Sequence, residues 1–153
     1  MNLRDKGVLI TGGGTGAGRA IALALAAEGC QVGITGRREE KLQETAGLNY
    51  HEPAIQILPA DVSDRDEVQR LFDWAAEKIG PINILVNSAG INVKKRATKD
   101  LSPEDFDRLI RINCTGAYNT ITSVLPQMRN RQDGLIININ SICLLYTSDA
   151  ADE

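Results

Sequence analysis

The chain has 153 residues, of which 42% are apolar and 24% charged, with a formal net charge of −3; this is the balance of one globular domain and excludes wholesale disorder. Such a charge gives no overall pull toward nucleic acid or anionic lipid, and the one basic run, Lys94-Lys95-Arg96, reads as a solvated loop. Cys30, Cys114 and Cys143 are far apart and odd in number, so neither a disulfide framework nor any metal site is expected, and a reducing cytoplasm is the expected compartment.

Residues 1–6 run straight into Val8-Leu9-Ile10 without the apolar stretch of a secretory leader, and no later run is long and apolar enough to span a bilayer. From there, short β-branched or apolar runs alternate with helical patterns, the signature of βαβ units in a parallel sheet. Five strands are expected, at residues 7–11, 31–35, 55–59, 82–87 and 135–139, mostly apolar as strands covered on both faces are. The first helix spans residues 16–28, is rich in Ala, carries Ile21, Leu23 and Leu25, and stops at Gly29. A second helix spans residues 39–46. Ser63-Asp64-Arg65-Asp66 supplies the cap and early negative charge of a third, which runs to Ile79 and ends at Gly80-Pro81. Ser102-Pro103-Glu104-Asp105 opens a fourth in the same manner; it extends toward Arg129, with Pro126 expected to kink or shorten it.

No repeat, low-complexity tract or linker composition breaks this series, so one domain over residues 1–142 is expected. The order implies an α/β fold: a doubly wound parallel sheet of Rossmann type, with helices on both faces and a ligand crevice at the carboxyl ends of the strands. At five strands it is incomplete, since such sheets commonly carry about six.

Thr11-Gly12-Gly13-Gly14-Thr15-Gly16-Ala17-Gly18 lies between the first strand and the first helix. Glycines without Cβ let the backbone approach a pyrophosphate, while free N–H groups and the positive end of the helix favour its charge. A merely flexible loop is the alternative, and the position after a strand and before a helix favours dinucleotide binding. The end of the second strand decides which dinucleotide is expected. An acid there would accept hydrogen bonds from the ribose 2′-hydroxyl; here the segment is Thr35-Gly36-Arg37-Arg38, and a guanidinium fork suits a 2′-phosphate. NADP is therefore the expected cofactor, with NAD as the second candidate. The other reading is that Arg37 and Arg38 simply begin an exposed helix, paired with Glu39 and Glu40.

The spacing Thr11-Gly12-x-x-x-Gly16-x-Gly18 resembles that of the short-chain dehydrogenase/reductase family. Asp61-Val62 after the third strand, Asn87-Ser88-Ala89-Gly90 after the fourth, Asn113 inside the fourth helix and Ser141 after the fifth strand extend the resemblance, in family order, over residues 7–142. It implies an oxidoreductase that moves hydride between a nicotinamide and a carbonyl or alcohol carbon. It further implies that Asp61 touches the adenine and that residues 87–90 line the site beside the glycine loop, with Ser88 standing where the family has a second Asn. The parent protein would be a homodimer or homotetramer acting on a small carbonyl or alcohol, with no nucleic-acid or membrane partner.

Catalysis in the family, as the resemblance implies, uses a Ser to hold the substrate oxygen, a Tyr as acid/base, a Lys that lowers the tyrosine pKa, and an Asn in a proton relay. Ser141 and Asn113 match the first and last of these roles; a turn serine and a helix-interior asparagine are their bland alternatives. The Tyr-x-x-x-Lys pair is absent. Tyr50, Tyr118 and Tyr146 are followed four residues on by Ala54, Thr122 and Ala150, and no lysine occurs after Lys99. The expectation is therefore a cofactor-binding half without turnover of its own; the alternative is a dinucleotide-binding sensor or regulatory module that is naturally non-catalytic. Residues 143–153, from Cys143 to Glu153, do not continue the family pattern and resemble the translation of a transposon mosaic-end sequencing adapter, so they are expected to be a non-native tail.

Overall fold

The structure is a computed structural model that describes residues 3–94 and 97–140. Strands β1 (Gly7–Thr11), β2 (Gln31–Gly36), β3 (Gln56–Pro59), β4 (Ile82–Asn87) and β5 (Leu135–Asn138) form one parallel sheet in the order β3-β2-β1-β4-β5. The chain winds one way from β1 to β3, then crosses back over β1 to lay down β4 and β5. That reversal leaves a crevice between the ends of β1 and β4, where doubly wound sheets bind their ligands. Register brings the relevant ends level: Thr11 pairs with Thr35 on one side and Asn87 on the other, and Asn87 with Asn138.

Strand residues alternate between two buried layers, as the twofold period of a strand requires. Val8, Ile10, Val32, Ile34, Ile84 and Val86 face Ala22 and Ala26 of α1 (Gly16–Ala27) and Leu42 of α2 (Glu39–Gly47). On the opposite face, Leu9 and Leu85 meet Val68, Leu71 and Ala75 of α3 (Arg65–Lys78) and Val124 and Met128 of α5 (Gly116–Arg131). Burial of each such Val, Leu or Ile contributes roughly 1.5–3 kcal/mol. The two cores fix where the strand ends stand and hence the geometry of the rim.

Helix boundaries follow the capping chemistry expected of them. Asp64 accepts from the N–H groups of Asp66 (2.9 Å) and Glu67 (3.0 Å) at the start of α3, and Ser102 accepts from Asp105 (3.1 Å) at the start of α4 (Pro103–Leu109). Gly29 and Gly80 turn the chain out of α1 and α3 with φ of +80° and +73°.

The fourth expected helix differs in detail. It is α4 followed by a π-helical segment, Ile110–Thr115, and then α5, so the helical path passes Arg129 and ends at Arg131. Pro126 does not shorten it. Proline leaves the carbonyl four residues earlier, on Thr122, without its helical donor, but Thr122 and Pro126 are exposed to water while Val124 and Met128 anchor the opposite face. Expected β3 loses Ile55 and expected β5 loses Ile139 from their ladders, whereas β2 gains Gly36. Lys94 is exposed, as the solvated-loop reading requires, while Lys95, Arg96, Ser141 and residues 143–153 lie outside the described residues. Among the described residues no helix is long and apolar enough to cross a membrane.

Candidate functional site

The turn from β1 into α1 passes the turn after β4 at backbone contact. Gly12 has φ +68°, and a Cβ there would stand 2.7 Å from the Ser88 carbonyl oxygen and 2.8 Å from the Ala89 Cα. Thr11 is buried, and its hydroxyl oxygen accepts hydrogen bonds from the N–H groups of Ser88 (3.1 Å) and Ala89 (3.0 Å). Gly18 lies directly against the Gly12 carbonyl, where any side chain would collide. Gly16 is different: with φ +56° it also needs glycine, yet a Cβ there meets no protein atom within 4 Å. Gly16 borders open space on the surface of the loop. Thr15, Gly16 and Ala17 are exposed, and Thr15 leaves the first turn of α1 without a side-chain cap. Those N–H groups carry the positive end of the helix dipole.

Behind the loop stands Arg19, which sequence reasoning missed. Its guanidinium donates to the Gly14 carbonyl (Nε 3.1 Å, Nη2 2.6 Å), to the Thr45 hydroxyl (2.9 Å) and to the Glu44 carboxylate (3.0 Å). Gly14 in turn lets α2 close on the loop, since a Cβ on it would stand 2.9 Å from Lys41 Cβ.

These elements border a cleft of about 630 Å³. Gly12, Gly14, Thr15, Gly16 and Ala17 lie along it; Arg37 and Arg38 stand on one wall with Asp61 and Val62, and Ala89 and Gly90 on the other side. Thr11, Gly18 and Asn87 lie beneath its surface as supports rather than in its lining. Arg37 and Arg38 are exposed and lead into α2, as the reading of an exposed helix start has it, but among the described residues they make no ion pair with Glu39 or Glu40. Lys41, Leu42, Ile91, Ile112 and Ile139 also border the cleft and were not anticipated. For Ile112 the available signal was its position beside Asn113; for Lys41 it was the single helical turn separating it from Arg38.

Asp61 is tied by the Ser63 N–H (2.9 Å) and hydroxyl (2.8 Å), and its own N–H donates to Glu67 (2.7 Å). Partial burial opposes its ionisation most, but the two Ser63 hydrogen bonds, with Arg37 and Arg111 nearby, outweigh burial and hold the carboxyl below the usual aspartate range. Val62 is held from the other side, because the buried Asn119 amide donates to its carbonyl (3.0 Å).

At the far end, Asn87 takes a hydrogen bond from the Thr120 hydroxyl (2.7 Å) and gives one to Asn138 (3.0 Å), which ties α5, β4 and β5 together below the rim. Asn113 sits in the π-helical segment and makes a reciprocal pair with the Ile91 backbone: it accepts from the N–H (2.8 Å) and donates to the carbonyl (3.0 Å). The structure thus brings Asn113 to the margin of the cleft, through Ile91. Ser141 lies outside the described residues.

A parallel sheet that reverses at β1, with a glycine loop at its switch point, defines a Rossmann-type nucleotide-binding architecture. The family model described as short chain dehydrogenase matches residues 6–150, and the chain belongs to that family. It is 36% identical over 140 residues to an uncharacterised oxidoreductase of Staphylococcus aureus (strain MW2), covering 92% of this chain and 60% of that protein. Among solved structures, it is similar to a 3-ketoacyl-(acyl-carrier-protein) reductase from Brucella melitensis complexed with NADH, at 32% identity and TM-score 0.84, over 91% of this chain and 58% of that one. It is likewise similar to the closed form of a serine dehydrogenase complexed with NADP+, at 32% identity and TM-score 0.83, over 92% and 56%. The chain therefore spans about 60% of the length of the relative it matches.

Proposed function

We propose that this chain is the dinucleotide-binding part of a nicotinamide-dependent oxidoreductase that prefers NADP and acts on a carbonyl or alcohol. The observation that carries the reading is the glycine loop, whose exposed residues Thr15, Gly16 and Ala17 border a cleft that also holds Arg37 and Arg38, neither of them in an ion pair among the described residues. The residues fit a dinucleotide diphosphate: Gly16 combines a left-handed backbone with open space where a side chain would stand. Arg37 and Arg38 would hold the 2′-phosphate as planar forks, and Asp61 and Val62 would border the adenine.

When bound, the nicotinamide supplies or accepts the hydride. The chain's own residues bind and orient. Ala89 and Gly90 would border the cofactor at the switch point, with Thr11 fixing that turn through its hydrogen bond from the Ala89 N–H. Asn113 is assigned to proton-relay support and Ser141 to holding the substrate oxygen. No Tyr-x-x-x-Lys pair occurs in the 153 residues, so we assign this chain binding without turnover. Exposed Phe106, Ile110, Tyr118 and Leu125 along α4, the π-helical segment and α5 support association of the parent into a dimer or tetramer.

Titrating the folded chain with NADPH and with NADH, followed by the fluorescence of the reduced nicotinamide, tests the proposal. Tighter NADPH binding supports it. Tighter NADH binding overturns the NADP preference, and saturation by neither overturns the whole assignment.

A further inference from the structure

The cleft wall holds three cations in unequal states. Among the described residues Arg37 and Arg38 form no ion pair within 4.0 Å, although Arg37 lies near enough to Asp61 to favour its ionised form, whereas Lys41, on the first turn of α2, is ion-paired to Glu44. Glu44 is shared: its other oxygen takes Arg19, whose guanidinium also bonds the Gly14 carbonyl of the glycine loop. One carboxylate therefore serves two cations, one gripping the loop from behind and one facing the ligand cleft. The Lys41 and Arg19 hydrogen bonds hold Glu44 below the ordinary glutamate range, so it is ionised at neutral pH. The Lys41 stem passes against Gly14, close enough that a Cβ on Gly14 would have to move it.

We infer that Lys41 is a third reader of the 2′-phosphate and that Glu44 is its internal competitor, releasing Lys41 to the phosphate while keeping Arg19 and the glycine loop in place. This rests on the NADP reading of the same cleft. The chemistry is an exchange of one anion for another around an ammonium. A lysine head on a flexible stem can turn from a half-exposed carboxylate to a doubly charged phosphate without backbone movement. Arg19 supplies what a lone lysine–glutamate pair would lack, because its bonds to Gly14 and Thr45 keep Glu44 anchored after Lys41 leaves. An NAD-type ribose offers no dianion to compete with Glu44, so Lys41 stays paired and adds nothing to NAD binding.

Two probes that differ only in the 2′-phosphate, adenosine 2′,5′-bisphosphate and adenosine 5′-monophosphate, isolate this effect by calorimetric titration of the full chain. Lys41→Gln should weaken the bisphosphate by about tenfold and leave the monophosphate unchanged. Glu44→Gln, whose amide oxygen still accepts from Arg19, should tighten the bisphosphate about threefold with no change for the monophosphate. Thermal melts of both variants confirm that each is folded. If Lys41→Gln weakens both probes equally or neither, or Glu44→Gln weakens the bisphosphate, the inference is overturned. An Arg37→Gln/Arg38→Gln variant separates the two claims: loss of discrimination there with Lys41→Gln unchanged leaves NADP preference standing and removes Lys41 from it. A wild-type chain that binds the two probes equally well overturns both.

Discussion

The Thr11 hydroxyl lies 3.0 Å from the Ala89 N–H, at the point where the turns after β1 and β4 meet. The same oxygen takes the Ser88 N–H, so one buried side chain satisfies two backbone donors of the neighbouring turn. Thr11→Val keeps the shape and removes the acceptor, leaving both donors unpaired at a cost of about 1–3 kcal/mol. Thr11→Ser should retain most of the stability. Urea unfolding midpoints measure both, and a Val variant as stable as the wild type would show that the contact does not hold the turns together.

Gly16 and Gly18 are both family glycines but should fail differently. Gly18→Ala drives a methyl into the Gly12 carbonyl, so the loop must shift, and overpacking of this kind costs about 1–3 kcal/mol. Gly16→Ala meets no protein atom and bears only the left-handed strain of about 1–2 kcal/mol. Its methyl instead occupies the space assigned to the diphosphate. Thermal melting and nucleotide titration, run on both variants, should show Gly16→Ala folded and unable to bind, with Gly18→Ala losing more stability.

Asp61 gives the fold a pH dependence with a defined sign. Its folded pKa is depressed, so its contribution is fully present above the unfolded value of about 3.9 and is lost as pH falls through the lower folded value. Asp61→Asn removes that contribution. The stability gap between wild type and variant should be widest near neutrality and should close in the acid range, read from unfolding midpoints across pH. A gap that widens on acidification contradicts the assignment.

The strands were legible because parallel strands buried on both faces leave dense apolar runs, and the glycine loop because its residues are contiguous. Boundary shifts at Ile55, Gly36 and Ile139 concern ladder ends, where side-chain pattern says little about hydrogen bonding. The sequence pattern places Asn113 in a helix but does not reveal its π-helical setting, and its partner, the Ile91 backbone, is distant in sequence. Arg19 and Lys41 stayed hidden for a similar reason. Each looks like a surface charge on its own helix, and only the approach of α2 to Gly14 brings Lys41 to the cleft and Arg19 behind its glycine loop. The chain Thr120, Asn87 and Asn138 likewise joins three elements that only the fold brings together.

In the proposed binding mode, backbone N–H groups at the start of α1 hold a diphosphate. Amide resonances of isotopically labelled protein, followed during titration with NADP+, report on those groups one by one. Saturable shifts should centre on Thr15, Gly16 and Ala17, with smaller ones at Arg37, Arg38 and Ala89. A folded protein in which those amides stay still while the cofactor is added to excess would rule that binding mode out.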